Sequence, residues 1–356
     1  MYQQSIGPVN FFLGLLCFLL WGCVDPVDLK PTQTVKYLAV QGLITDEPGP
    51  YTVNVRMTVP YGRPTGIKEE GLRGAQVVIT DERGAHEVLR EHGLGIFKTS
   101  PTGMRGRVGG VYTLSVTLKD GRNYQSTAEV LAPVAPIEEL ELDFQRKPVF
   151  DQGPEPIANQ RFEAFVRTKD PGNAKNFYRW EWKAIYEVST QPWDYEEVPP
   201  RGSFPIPKPK KCCQTCWVYD TTNLMVVGED RLFNGNTFRK PVGIVPLTGE
   251  TINVRLRVEA VQYSLSETGY DFWEDFIAQS RSVGSVLDPP PANAKGNVRN
   301  LANPEEPVFG YFGASAVTRK AVFVKREEVP QVPGLLKYPD DCRTIKFSSE
   351  IRPSFW

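Results

Sequence analysis

The chain has 356 residues, and its 41 Lys plus Arg against 42 Asp plus Glu leave a net charge of −1. That balance excludes a nucleic-acid binder working through a broad basic face, and 40% hydrophobic against 23% charged residues excludes wholesale disorder. With 31 Pro, 30 Gly and only two His, the chain is suited to short strands and loops, and histidine-dependent catalysis and His-rich metal sites are improbable.

The first element is an apolar run, Phe11 to Trp21. It is shorter than the roughly 20 residues that span a bilayer and has the length of a signal-peptide apolar region. It ends in Leu20-Trp21-Gly22-Cys23, which resembles a bacterial lipobox. Trp21 is bulkier than usual for its place, and no Lys or Arg precedes the run. The rival readings are an ordinary secretory signal and a buried strand. A lipobox implies cleavage before Cys23, acylation of its thiol and its new amine, and stable anchoring by two or more acyl chains. Residues 1–22 are thus expected to be a lipoprotein signal peptide and residues 23–36 a lipidated tether.

Strands follow. Tyr51, Val53, Val55, Met57 and Val59 alternate with polar residues, the period of a half-buried strand. Gly74 to Thr80 is β-rich and closes on an Asp81–Gly84 turn; Gly95 to Thr99 is a shorter strand. Tyr112, Leu114, Val116 and Leu118 share a face, Asp120-Gly121 marks a hairpin turn, and Tyr124 to Val130 returns. This spacing, without helical periodicity, predicts a β-sandwich over residues 37–135, closed by Pro133 and Pro136.

Residues 136–356 are expected to form a second, β-rich domain. Ile137–Phe144 and Arg161–Thr168 read as strands. In Phe177–Val188, residues Tyr178, Trp180, Trp182, Ala184, Tyr186 and Val188 share one face, opposite Arg179, Glu181, Lys183 and Glu187. Ile252 to Ala260 repeats the pattern, and the two strands are expected to pair with complementary charges on the wet face. Trp180, Trp182 and Tyr186 suit a sheet face packed on the core, against Trp273 and Phe276; the alternative is a stacking platform for sugar rings. One amphipathic helix is predicted to about Ser285, capped by Ser264 and Glu267, with Tyr270, Trp273 and Ile277 on one face.

Between Gln191 and Lys211 lies a Pro-rich stretch, expected to be an extended loop. Trp193 and Tyr195 sit in it where nothing forces burial, and they are the ligand or partner candidates. Beyond Cys17 and Cys23, the cysteines are Cys212, Cys213, Cys216 and Cys342. Disulfides are favoured over a Cys₄ zinc site, because export is oxidising and the second half of such a site offers only Cys342. Adjacent Cys212 and Cys213 are not expected to join each other. Cys342 is expected to bridge to Cys212, Cys213 or Cys216, and Cys216 is preferred because Trp217 beside it can cover the bridge.

Taken together, several stretches resemble a known family. They are Cys23 with Asp25 and Asp28; Tyr37-Leu38-Ala39-Val40-Gln41-Gly42-Leu43-Ile44-Thr45-Asp46; Gly74-Ala75 before Val77-Val78; Gly110-x-Tyr112-x-Leu114-x-Val116; Gly296-Asn297-Val298; and Val308-Phe309-Gly310-Tyr311-Phe312-Gly313-Ala314-Ser315. The pattern is similar to the Bacteroidetes outer-membrane lipoproteins catalogued as domain of unknown function 4249. The resemblance implies a mainly β protein, with an N-terminal immunoglobulin- or transthyretin-like sandwich and a β-rich C-terminal domain. It implies an outer-membrane lipoprotein, often encoded beside a TonB-dependent transporter. It supplies neither a substrate nor a catalytic set. In the late motif, glycine serves either a tight strand bend or a docking surface.

The sequence carries no H-E-x-x-H, G-x-S-x-G, Walker A or G-x-G-x-x-G signature. No catalytic residue, metal ligand or cofactor is assigned. The expected function is a non-enzymatic accessory or binding lipoprotein with a glycan or peptide ligand and a β-barrel partner. The alternatives are a structural or adhesive surface protein and a cryptic glycan or peptide hydrolase using converging carboxylates.

Overall fold

The computed structural model describes residues 36–58, 70–149, 157–198, 204–221, 225–281, 294–330 and 340–356. The stretch expected to be a signal peptide, residues 1–22, and the expected tether up to residue 35, with Cys23, lie outside them. Among the described residues the chain is mainly β, with antiparallel sheets and a single α-helix, Glu267–Arg281. No described helix is long and apolar enough to cross a membrane.

The first sandwich forms where alternation predicts it. One sheet runs through Leu38–Thr45, Thr52–Met57, Ile96–Lys98 and Arg90–Gly93. The facing sheet runs through Asn123–Ser126, Val111–Thr117, Gln76–Asp81 and His86–Val88. Period-2 residues of both meet in the core: Val53 and Val55 from one side, Val77, Ile79, Tyr112 and Leu114 from the other, all buried. Each such side chain contributes about 1.5–3 kcal/mol through its removal from water. Gly84 and Gly121 take φ of +83° and +87° in the two hairpin turns, a region open to glycine at no steric cost.

The boundary expected at residue 136 is corrected by the late segment. Val308–Phe309 and Phe312–Ser315 run parallel to Leu38–Thr45 and cover its open edge. Val298–Asn300 pairs with Asn123–Ser126 in the other sheet, and Phe312 is a fully buried member of the first core. The first sandwich is therefore built from both ends of the chain. An uncovered edge on Leu38–Thr45 would present unpaired backbone groups, and the returning segment satisfies them.

The late motif is a tight bend. Gly310 has φ of +89°, and a Cβ there would run into the Val40 carbonyl oxygen; a Cβ on Gly296 would run into the Gly310 carbonyl oxygen. Between these close approaches, Asn297 works as a strand substitute. Its Oδ1 accepts from the Phe312 amide at 2.9 Å and its Nδ2 donates to the Phe312 carbonyl at 2.8 Å.

The second sandwich packs a three-stranded sheet, Ile137–Val149, Ile157–Lys169 and Thr237–Pro246, on a six-stranded one. The latter is centred on Phe177–Ser189, flanked by Arg255–Leu265 and Thr215–Thr221. Phe177–Ser189 and Arg255–Leu265 pair antiparallel, with Glu187 opposite Arg255 and Lys183 opposite Glu259, so the expected charge complementarity is present. Trp180, Trp182 and Tyr186 are buried in the core, not in a platform. Their packing partners differ from those expected. Trp180 meets Phe238 edge-on, while Trp273 covers the opposite face of the sheet through Arg179. Trp180 Nε1 donates to Gln262 Oε1 at 2.7 Å, and Gln262 Nε2 donates to the Ala135 carbonyl at 2.7 Å, while Trp182 Nε1 has no acceptor among the described residues.

The two sandwiches are joined by several bonds. Ser264 Oγ donates to the Ala132 carbonyl at 2.6 Å and accepts from the Ala316 amide at 2.9 Å. That use takes Ser264 away from the capping role expected of it; Ser266 is the cap, accepting from the Gly269 amide at 3.0 Å. Arg319 grips Glu47 through two bonds, at 2.7 and 2.6 Å, and this hydrogen bonding holds the Glu47 carboxyl below its ordinary range.

Candidate functional site

A cleft of about 280 Å³ lies where the two sandwiches and the helix meet. The first sandwich contributes Gln41, Thr52, Asn54, Glu129 and the small residues Gly313 to Ser315; the second contributes Arg179, Glu181 and Tyr263; the helix contributes Gly269 and Trp273. A neighbouring groove of about 320 Å³ shares Gln41, Asn54 and Trp273 and adds Phe272, Phe276 and Phe309. One end of this system is polar and the other aromatic.

Arg179 is the central group at the polar end. Its strand places it on the sheet face opposite the core, cross-strand from Tyr263. The guanidinium sits 4.4 Å from the Tyr263 ring centroid and 4.6 Å from that of Trp273, flanked by both aromatic groups. Only 6% of the residue is exposed. Nη2 lies 3.3 Å from Glu181 Oε1, and Glu181 Oε2 accepts from Tyr263 Oη at 3.2 Å. Burial, with the Glu181 charge adding to it, pushes the Tyr263 phenol up to about 12, so it stays a neutral donor. Arg179 Nε has no hydrogen-bond acceptor among the described residues, and neither has Ser315 Oγ.

Glu129 forms the wall beside this pair. It is 2% exposed. It accepts from Tyr311 Oη at 2.7 Å, Ser266 Oγ at 2.8 Å and Asn297 Nδ2 at 3.1 Å. Burial, followed by the Glu129 charge, raises the Tyr311 phenol well above its ordinary value. Tyr311 also stacks on Phe272 at 4.9 Å, which docks the helix against the first sandwich. Glu129 thus ties three segments together as a shared buried acceptor.

Trp193 and Tyr195, the candidates from sequence, are not brought to this cleft. Trp193 is half exposed, and Tyr195 lies under Lys210 Nζ at 3.9 Å from its ring centroid, with Lys210 paired to Asp340. The disulfide between Cys216 and Cys342 forms as preferred, across a separation of 126 residues. Cys212 and Cys213 also join, contrary to expectation. With Cys216 taken by Cys342, the two remaining thiols are chain neighbours, and the backbone at Cys213 turns through φ of +68°. All four cysteines are in disulfides. Among the described residues, no group of three or more His, Cys, Asp or Glu is placed to hold a metal ion.

The cleft residues were legible only as types. Arg179 and Glu181 are read from alternation as wet-face charges, and nothing local reveals that Trp273 and the first sandwich cover them. The available signal was the small-residue run Gly313-Ala314-Ser315 directly after Tyr311-Phe312, which leaves room beside an aromatic wall.

The sequence profile of the family described as a domain of unknown function, DUF4249, matches residues 24–321. The chain belongs to the DUF4249 family. The matched span holds every strand of the first sandwich and the helix, so the cleft of this DUF4249 protein lies wholly within it. No match was found among curated proteins.

Proposed function

We propose that the chain is a non-enzymatic lipoprotein, anchored at Cys23 to the outer membrane, that binds a small polar ligand in the inter-sandwich cleft and works with a TonB-dependent transporter. The observation that carries the binding role is Arg179: buried, held flanked by two aromatic rings, and left with an unpartnered donor at a cleft wall. Unmet buried polar atoms also occur at Trp182 and Arg161, but the one on Arg179 belongs to a charged group that lines a cleft. Leu20-Trp21-Gly22-Cys23 supports the anchor. A hydrolase reading draws on Glu129 and Glu181 lining one cleft, but Glu129 is buried and already accepts from Tyr311, Ser266 and Asn297, so it is held as a structural acceptor.

Two measurements test this. Cys23→Ala chain is expected to leave the membrane fraction after salt washing, since the only long apolar run, Phe11 to Trp21, is separated from the mature chain or fails to hold it. Persistence of the variant in the outer membrane would mean that a partner, not lipid, localises it. Affinity capture of the wild-type chain from detergent-solubilised membranes is expected to recover a β-barrel protein in near-equal amount. Recovery of the chain alone would overturn the transporter association.

A further inference from the structure

We propose that the cleft takes a neutral carbohydrate, with a hydroxyl of one ring bridging Arg179 and Glu181; this rests on the cleft being the binding site. The bridge is set by geometry. A guanidinium that can only donate stands 3.3 Å from a carboxylate that can only accept, and both line the same opening. Arg179 keeps 7% and Glu181 25% of side-chain exposure, so the pair is met through this opening. A hydroxyl accepts and donates at one atom, and a vicinal diol does so at adjacent atoms. Either completes both groups at this spacing.

Other ligand classes fit less well. At the polar end an anion would confront two carboxylates, Glu129 and Glu181, with the Arg179 guanidinium already engaged by Glu181; Arg56 in the adjoining groove is engaged as well. A cation would face Arg179. A peptide backbone is neutral, but the N–H and C=O that an extended residue turns to one side stand on separate atoms, whereas a single hydroxyl oxygen meets both groups across the 3.3 Å gap.

Three further features match a sugar. Ser315 Oγ is a second unpartnered polar atom at the wall, 1% exposed and able to donate or accept. Gln41 and Asn54 supply amides at the junction between cleft and groove. The groove beyond presents Phe276, 41% exposed, as an apolar surface for the C–H face of a following ring. Cleft and groove together reach the size range of small-molecule sites, roughly 300–1,000 Å³. The flanking aromatic groups keep the guanidinium in place before ligand arrives, which limits the ordering cost of binding.

The test is calorimetric titration of the detergent-solubilised full chain. The probes are neutral oligosaccharides (glucans, xylan, mannan, galactan and chitin oligomers), with uncharged tetrapeptides and uronic-acid oligomers as the competing classes. At least one neutral oligosaccharide is expected to bind. Arg179→Lys, which keeps charge but loses the planar fork, is expected to weaken it at least 10-fold, and Ser315→Ala about 3–10-fold. Ser315→Ala removes an atom without a partner, so it tests the site even where the Arg179 variant fails to fold. Binding of peptides or uronates but not neutral sugars, weakened by Ser315→Ala, would overturn the sugar assignment and leave the cleft as the site. Sugar binding indifferent to both variants would overturn the cleft itself. Silence from every neutral sugar would overturn the proposal.

Discussion

Replacing both Cys216 and Cys342 with serine is expected to lower unfolding stability by about 3–5 kcal/mol, because the bridge closes a very long loop in the denatured chain. The separation is 126 residues. The segment it secures has little else of regular structure. The described tail, residues 340–356, pairs with the sheet only through Ser348–Ser349, opposite Trp217 and Val218. Its other attachments are aromatic and polar: Trp356 Nε1 donates to Glu187 at 2.9 Å, and Arg255 and Arg257 lie 4.6 and 4.2 Å from the rings of Trp356 and Phe355. Exposed cation–π contacts add about 0.5–1 kcal/mol each, so the bridge is the larger contribution. The Cys212–Cys213 pair spans a single peptide bond and constrains the denatured chain hardly at all. Cys212→Ser with Cys213→Ser is therefore expected to cost under about 1 kcal/mol on the same loop-entropy reasoning. Urea unfolding of the oxidised proteins compares the two double variants directly. Equal losses would show that the long bridge does not act through chain entropy.

The contrast between these bridges also marks what the sequence could reveal. Strand Phe177–Ser189 was legible because its aromatic and charged residues alternate over a long run, and alternation is a local signal. Arg255–Leu265 was legible in the same way, although its start falls three residues later than Ile252, which is buried in the preceding turn region. Val298–Asn300 and Phe312–Ser315 are too short to carry a period. Val298–Asn300 depends on the edge of Asn123–Ser126, and Phe312–Ser315 on that of Leu38–Thr45, more than 250 residues earlier in the chain, and no window records either. The cleft was hidden for a related reason. Arg179, Glu181 and Glu129 have the sequence character of solvated charges. Their burial is imposed by Trp273, Tyr311 and Asn297, each brought in by a different segment. Trp193 lies away from the cleft, because position in a loop predicts exposure and says nothing about convergence with other groups.

Glu129→Ala is the other change with a large expected effect, about 3 kcal/mol, and its cost follows from the donors it leaves behind. Tyr311 Oη, Ser266 Oγ and Asn297 Nδ2 all point at this carboxylate. A hydrogen bond to a charged acceptor contributes about 1.5–3 kcal/mol, but the three share one acceptor and do not add independently. Glu129→Gln separates charge from geometry. Its amide keeps the shape and one acceptor oxygen, and the Tyr311 and Ser266 hydroxyls can reverse to accept from its NH₂. Asn297 Nδ2 has no such freedom, because Asn297 Oδ1 is fixed on the Phe312 amide at 2.9 Å. The expected order of stability is therefore wild type, then Gln lower by about 1–2 kcal/mol, then Ala lowest. Since Tyr311 docks Phe272 of the helix and Ser266 caps that helix, the Ala variant should also expose the amides of the first helical turn to hydrogen exchange before global unfolding. Urea midpoints and exchange at Gly269 measure both effects. A Glu129→Ala protein within about 0.5 kcal/mol of wild type would mean that water replaces the carboxylate and that the junction of the two sandwiches is held by the Ser264 and Arg319 bonds instead.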